Sequence, residues 1–337
     1  YPEPVDLSEA DMDFRLELNP FRITLGRLQI SDRGKTLLVD GELAADPGGW
    51  RLALDGRMDG LEPDRLLELW PEGVKPKTRK WLGDNLIDGR VHNIDLAFRT
   101  APGKDQHSFL AFDFEKSTVR FLKTMPPITG GQGHFSLADD RLVVTVDQGE
   151  VAPPLGGSIR VDGSSFIIPD VRVKDGAPAV IRLQTRSSIT AALSLINFAP
   201  LSVMDKIKMP VRLADGLADV KGTIAVPLKK GGKVQDVNYH FAGALRAVRS
   251  DVLVKGRRLE ATELDVSVDN TGLRIGGPGR IDGVAFNGAW EQPIGKGAAQ
   301  SALRGQVTLD QAALDAFGVA LPDGTVSGQA QADIALE

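Results

Sequence analysis

Apolar and polar residues alternate along most of this chain. Phe14, Leu16 and Leu18 are interleaved with Arg15, Glu17 and Asn19, the period of two that gives a strand one apolar and one wet face. Leu52 and Leu54 alternate with Arg51 and Asp55, Ile94, Leu96 and Phe98 with Asp95 and Arg99, and Leu110, Phe112 and Phe114 with Asp113 and Glu115. The pattern returns at Leu142, Val144 and Val146, at Ile159 and Val161, and at Val171 and Val173. It resumes at Val237, Tyr239 and Phe241, at Leu264, Val266 and Val268, and at Leu273 and Ile275. Asp-Gly pairs read as turn signals between these runs, at Asp40-Gly41, Asp55-Gly56, Asp88-Gly89, Asp162-Gly163, Asp215-Gly216 and Asp282-Gly283. Both residue types tolerate the positive φ of tight hairpins, so the chain is predicted to be an antiparallel meander.

Helical periodicity is scarce. Pro63 opens one short helix carrying Leu66, Leu67 and Trp70, which Pro71 ends; Pro76 opens a second with Trp81, Leu82 and Leu86. Ser187 or Ser188 caps a third, with Ile189, Ala192, Leu193 and Ile196 on one face, and Asp310 a fourth, with Ala313, Leu314 and Phe317, stopped by Gly318. Short helical segments precede a motif written three times, at Leu86–Val91, Leu213–Ala218 and Leu321–Val326, each with Asp-Gly at its third and fourth positions. An internal repeat of this kind favours one long body over separate domains. The expected organisation is a single continuous unit over 1–337, with repeat units at roughly 37–186, 187–302 and a truncated 303–337. The start at Tyr1 and the strand-like end read as a piece of a longer protein.

Composition removes several classes of function. A net charge of −5 with both signs interspersed lacks the concentrated basic face of a nucleic-acid binder. With no cysteine there are no disulfides, thiolate metal sites or Cys nucleophiles. No apolar run is long enough to cross a bilayer as a helix; the nearest, Ile189 to Val203, is broken by Asn197 and Pro200.

The decisive feature is an imbalance. A strand with one apolar face must bury that face, yet the half-apolar strands are many and the helices few and short. Two sheets packed on each other would satisfy the pattern. So would a single long sheet curled into a trough with a partly filled apolar inside, whose exposed apolar strip would mark a lipid, membrane or protein contact.

Leu69-Trp70-Pro71, then Lys77 to Leu86 with Asp88-Gly89, Met125-Pro126-Pro127-Ile128, Gly133 to Leu137 and Leu142 to Gly149 carry a family resemblance. Arg280-Ile281-Asp282-Gly283, Trp290 and Phe317-Gly318-Val319 extend it. The chain resembles the AsmA-like, YhdP-type proteins of Gram-negative envelopes over nearly its whole length, most firmly from about Leu66 to Gly163. The resemblance implies a mainly β fold: an elongated, curled antiparallel sheet forming a taco-shaped apolar groove with a few short capping helices. It implies a periplasmic location, with an inner-membrane anchor outside this piece. The implied role is accommodating phospholipid acyl chains between the inner and outer membranes, with membranes and envelope proteins as partners.

The groove candidates are Leu110, Phe112, Phe114, Leu142, Val144, Val146, Ile159, Val161, Val237, Tyr239, Phe241, Leu264, Val266, Val268, Leu273 and Ile275; each is equally readable as ordinary core. Lys77, Arg79 and Lys80 between Trp70 and Trp81 read as a headgroup or interface cluster, or as a solvated helix face. His92, His107, His134 and His240 lack metal-ligand spacing. Gly130-Gly131-Gln132-Gly133 lacks the Lys-Ser/Thr of a phosphate loop and reads as a turn, and Asp139-Asp140 and Asp269-Asn270 read as hairpin turns rather than acid/base or calcium groups. No cofactor, metal or catalytic residue is indicated. The rival functions are a protein-interaction scaffold assisting outer-membrane assembly, with a dry interior, and an enzyme, which would need convergent carboxylates in a pocket.

Overall fold

In a computed structural model of the chain, described for residues 6–73, 75–229, 236–295, 300–316, 318–319, 322 and 327–336, strands dominate. The N-terminal part runs β1 (Glu9–Leu18), β2 (Phe21–Asp32), β3 (Lys35–Asp46), β4 (Gly49–Leu61), α1 (Pro63–Leu69) and α2 (Pro76–Asn85). It continues through β5 (Leu86–Thr100), β6 (His107–Val119), β7 (Ile128–Ala138), β8 (Arg141–Val151), β9 (Ile159–Arg160), β10 (Ser164–Ile168), β11 (Ala177–Ser188), α3 (Ile189–Ile196) and α4 (Val203–Ile207). The rest is β12 (Asp215–Leu228), β13 (Asn238–Val254), β14 (Arg257–Asp269), β15 (Gly272–Ile281), β16 (Val284–Pro293), β17 (Ala302–Leu309), α5 (Gln311–Ala316) and β18 (Ala330–Leu336).

All 18 strands belong to one antiparallel sheet, and each pairs with its sequence neighbour. The one complication is that β9 and β10 lie end to end between β8 and β11, so they fill a single row. Among the described residues no pairing joins β1 to β18, which leaves the sheet open. At about 4.8 Å per row it extends roughly 80 Å along the hydrogen-bonding direction. The 36.1 kDa chain exposes 21080 Å², where a compact protein of that mass exposes roughly 13,400 Å². Strand accounts for 62% of the chain and helix for 12%, too little helix to lay a second layer over the sheet.

The helices follow β4, β11 and β17. Counting β9 and β10 as one row, these are rows four, ten and sixteen, a spacing of six. Because six is even, all three helical connections emerge at the same end of the strands. There they fold onto the apolar face. Ile189 of α3 packs with Ala218, Val248, Ala261 and Leu264, and Ala313 of α5 with Val284 and Val307. Arg65 of α1 reaches Asp32 at the end of β2 across 2.7 Å, with both side chains about 10% exposed. That guanidinium also contacts Glu68 at 2.6 Å and the Asp6 carbonyl at 2.8 Å.

Four predicted helix starts take the expected form. Pro63 and Pro76 stand at the first helical positions, the Ser188 hydroxyl accepts from the Ala191 amide at 3.0 Å, and the Asp310 carboxylate accepts from the Ala313 amide at 2.8 Å. The repeated motif is a helix exit followed by a strand-opening irregularity. Register shifts flank Asp88 and follow Asp215, and Gly89 and Gly216 have φ of 149° and 129°, values that suit glycine alone. Of the third copy, all but Pro322 lies outside the described residues, as do Phe317, Lys230 to Lys233 and Lys296-Gly297.

Several local readings change. Asp40-Gly41 and Asp55-Gly56 sit within β3 and β4 rather than in turns. There they face each other across the ladder, Asp40 opposite Asp55. Gly130 to Gly133 belong to the irregular start of β7. Val171 and Val173 fall in the connection between β10 and β11. The short helix α4 has left-handed residues at both ends, Ser202 and Lys208, and carries no periodicity to announce it.

Leu264→Ala is expected to cost about 2–5 kcal/mol in denaturant unfolding, because its cluster is covered by α3. Val266→Ala, two residues along on the uncovered part of the same face, should cost less than half as much. Equal losses would mean that α3 shields nothing. A second test concerns curvature. A Cβ added to Gly243 would lie 2.1 Å from the Asp219 carbonyl oxygen, and one on Gly133 would lie 2.0 Å from that of Thr145. Gly243→Val should therefore destabilise by at least the ~1–3 kcal/mol typical of overpacking, while Gly26→Ala, whose nearest neighbour is 3.7 Å away, should be near neutral.

Candidate functional site: the apolar face

Register decides which side chains share a face. Leu110, Phe112 and Phe114 of β6 lie opposite Leu137, Phe135 and Gly133 of β7. These in turn oppose Leu142, Val144 and Val146 of β8, and Val144 lies opposite Phe166 of β10, itself opposite Ile181 of β11. The line runs on through Ile224 to Tyr239. On β13, Phe241 meets Val268, and Val268 and Val266 meet Leu273 and Ile275, which leads to Trp290 and Leu303. Toward the N-terminus it passes Leu96 and Leu54 to Leu25 and Phe14. The candidate strand residues named from the sequence on β6, β8, β13, β14 and β15 therefore all point to one side.

Burial along this face is graded. Leu264, at 8% exposed, belongs to the helix-covered cluster, and Ile159 and Val161 are buried as well. Leu110, Phe112, Phe114, Val144, Tyr239, Phe241, Val266 and Ile275 are half-buried, as are Leu142, Val146, Val268 and Leu273. Val237 is half-buried just before β13, where its carbonyl accepts from the Asn270 amide at 2.8 Å. At the β1 edge the face opens fully, with Phe14 56% and Leu18 75% exposed. A shallow cavity of about 340 Å³ there is lined by Met12, Phe14, Ile23, Leu25, Leu43 and Leu54.

Aromatic rings lie along the face. Phe112 and Phe135 stack at 4.5 Å with 6° between their planes, Phe21 meets Trp50 edge-on at 5.5 Å, and Tyr239 tilts against Phe241 at 6.3 Å. Burial, with Asp269 nearby, raises the Tyr239 phenol above its ordinary value, so the ring is neutral at physiological pH. The glycines that would clash most severely within the sheet, including Gly133 and Gly243, also lie on this side. Close approach of neighbouring strands on one face is what a sheet curling toward that face requires.

Charged strand residues occupy the opposite face or the strand ends. There they pair across rows: Arg99 with Asp55 at 2.6 Å, Arg57 with Asp95 at 3.3 Å, Arg246 with Glu263 at 2.8 Å and Arg274 with Glu291 at 3.6 Å. Exposed pairs of this kind add little stability, but they keep the outer face wet and penalise a one-residue slip.

The histidines do not converge. His134 contacts Asp113 at 2.9 Å and His107 contacts Asp139 at 3.1 Å, both on the surface, and no metal-ligating group occurs among the described residues. Asp139 and Asp140 both have positive φ and form the β7–β8 turn, as the sequence suggested. A polar cleft of about 560 Å³ lies between hairpins at the helical end. Its charges satisfy each other, Arg258 with Asp251 and Arg257 with Asp282, each at 3.0 Å.

The basic cluster divides by role. Arg79 donates to the Trp70 and Leu67 carbonyls at 3.1 and 3.0 Å, locking α2 against α1, and Lys80 pairs with Asp84 at 2.9 Å. Lys77 and Trp81 are exposed, and Trp70 is half-buried. Periodicity did not reveal the face residues of β2, β3 and β11. Phe21, Ile23 and Leu25 do alternate, but the irregularity between Leu25 and Leu28 shifts the phase and hides the strand.

A family model described as YhdP protein matches residues 2–337. The chain belongs to the YhdP family. No curated protein and no solved structure compared with it gives a match. In this YhdP-family chain, no helix among the described residues is long and apolar enough to cross a membrane.

The rim of the face carries a pH-dependent element. Asp269 accepts from the Thr271 hydroxyl at 2.6 Å and amide at 2.7 Å, which holds its carboxyl below the ordinary value. A depressed folded pKa contributes stability that is full above the usual carboxylate range and is lost as pH falls through the folded value. Asp269→Asn should therefore lower the neutral plateau of a stability-against-pH profile and flatten its acid limb, the two proteins converging at low pH. An unchanged acid limb would show that the turn does not hold the charge.

Proposed function

We propose that this YhdP-family chain is a non-enzymatic, periplasmic β-groove segment. It accommodates phospholipid acyl chains during their movement between the inner and outer membranes. One observation supports this above the rest. A single apolar face continues from Phe14 to Leu303, half-buried through the middle of the sheet and covered by helices only at one end.

The energetics favour a shared conduit over a tight pocket. Sheltering one methylene from water is worth about 0.8 kcal/mol, so an acyl chain of about 16 carbons needs roughly 13 kcal/mol of cover to leave a bilayer. A face of Leu, Val, Ile and Phe that matches the bilayer interior supplies such cover without trapping the chain. Few fixed polar groups on that face mean weak discrimination among headgroups. The second reading, a scaffold for envelope proteins, draws on the ten-residue edge strand β1, which among the described residues pairs only with β2 and could accept a partner strand.

Gentle native mass spectrometry of detergent-free protein is expected to show co-purified phospholipid. Val144→Asp and Val266→Asp place a charge on the uncovered part of the face. They should lower bound lipid roughly tenfold or more with little change in melting temperature. Clean apo mass for the unaltered protein would overturn the acyl-chain reading, and failure of both variants to fold would make these positions core.

A further inference from the structure

We propose that the helical end of the sheet carries a docking surface for an anionic lipid bilayer, distinct from the apolar face and independent of whether that face holds acyl chains. Three segments far apart in sequence form it. The first is α2 with the start of β5, the second the connection from Arg120 to Thr124, and the third the chain from Ala199 to Lys208, including α4.

Hydrogen bonds join them into one surface. The Arg120 amide donates to the Asn85 carbonyl at 2.9 Å and its guanidinium to that of Asp84 at 3.5 Å. The Thr124 hydroxyl donates to the Ala199 carbonyl. Large apolar side chains stand out of this surface instead of into the sheet: Trp81, Phe121, Leu122 and Ile207, the last 55% exposed. Lys75, Lys77, Lys123 and Lys208 are exposed around them.

Charge selects the occupant. Residues 72–88, 120–124 and 199–208 hold eight Lys or Arg against four Asp or Glu, in a chain whose net charge is −5. Two of those acids are engaged locally, Asp84 with Lys80 and Asp205 with the Asn197 amide. Protein–protein interfaces are depleted in lysine. Lysine interleaved with Trp, Phe and Leu on a polar scaffold is instead the composition that seats at an anionic lipid interface.

The experiment is flotation with vesicles of phosphatidylcholine alone or with 30% phosphatidylglycerol. The expected result is binding to the anionic vesicles only, lost at high salt, where exposed charges are screened. Lys75→Glu, Lys77→Glu, Lys123→Glu and Lys208→Glu combined should weaken binding by roughly fivefold or more per lysine. Trp81→Ser with Phe121→Ser should also weaken it. Lys104→Glu with Lys174→Glu, at the opposite end of the strands, should leave it unchanged.

Equal binding to both vesicle types, salt-insensitive binding, or equal loss from the opposite-end variant would overturn the proposal. So would capture of a protein partner by the patch without vesicle binding. If the fourfold variant misfolds, Lys208→Glu alone and the salt titration of the unaltered protein decide between retention and rejection. Vesicle flotation is read separately from co-purified lipid, so either proposal can fail without the other.

Discussion

An antiparallel ladder lets each side chain point only one way or the other, and seventeen such rows must agree. Once Leu110, Phe112 and Phe114 are paired with Leu137, Phe135 and Gly133, the direction of every neighbour in the next row follows. Period-two alternation then sums across the whole sheet. Most apolar strand residues collect on one side and most charged ones on the other, where Arg99, Arg246 and Arg274 find acidic partners one row away. A slip of one residue in a row such as β4, β12 or β15 would place charged side chains among leucines and valines. The half-covered apolar face is therefore a direct product of register.

What sets that face apart from an ordinary exposed sheet is close strand approach and end-capping. Glycines such as Gly133 and Gly243 remove the side chain where two strands come closest, so the rows can lean together on the apolar side. The helices add cover at one end only. Around Ala218, Val248 and Leu264 the face becomes true core, and Asp32 with Arg65 fixes the first helix in the equivalent place. Rigid, buried anchoring at the strand ends leaves the middle of each strand free of any overlying layer.

Much of this was legible in the residues, and the gaps have physical reasons. Alternation marked the strands, proline and capping side chains marked four helices, and the Asp-Gly motif marked helix exits at its copies around Asp88 and Asp215. Bulges were hidden, because residues such as Asn93, Lys116 and Ala247 adopt positive φ without a glycine to signal it, and each bulge resets the phase on which the pattern depends. Asp40-Gly41 misled for the opposite reason: residues suited to a turn lie in the middle of a strand, where the glycine admits Leu54 of the next row. Coverage could not be read either. Leu264 and Val266 are indistinguishable in sequence, and only the path of α3 makes the first core and the second open. The basic cluster was visible around Trp81, but its continuation through Phe121 and Ile207 depends on contacts between distant segments.

The six-row interval between helices acts as a length standard. One interval advances the sheet by roughly 29 Å at the usual strand spacing and returns the chain to its starting direction. A protein built this way can be lengthened or shortened in whole intervals with the helices always at one end of the strands and the apolar face unbroken. Gain or loss of an odd number of strands would throw the next helix to the opposite end. Evolution of span in such a molecule is thereby confined to even steps.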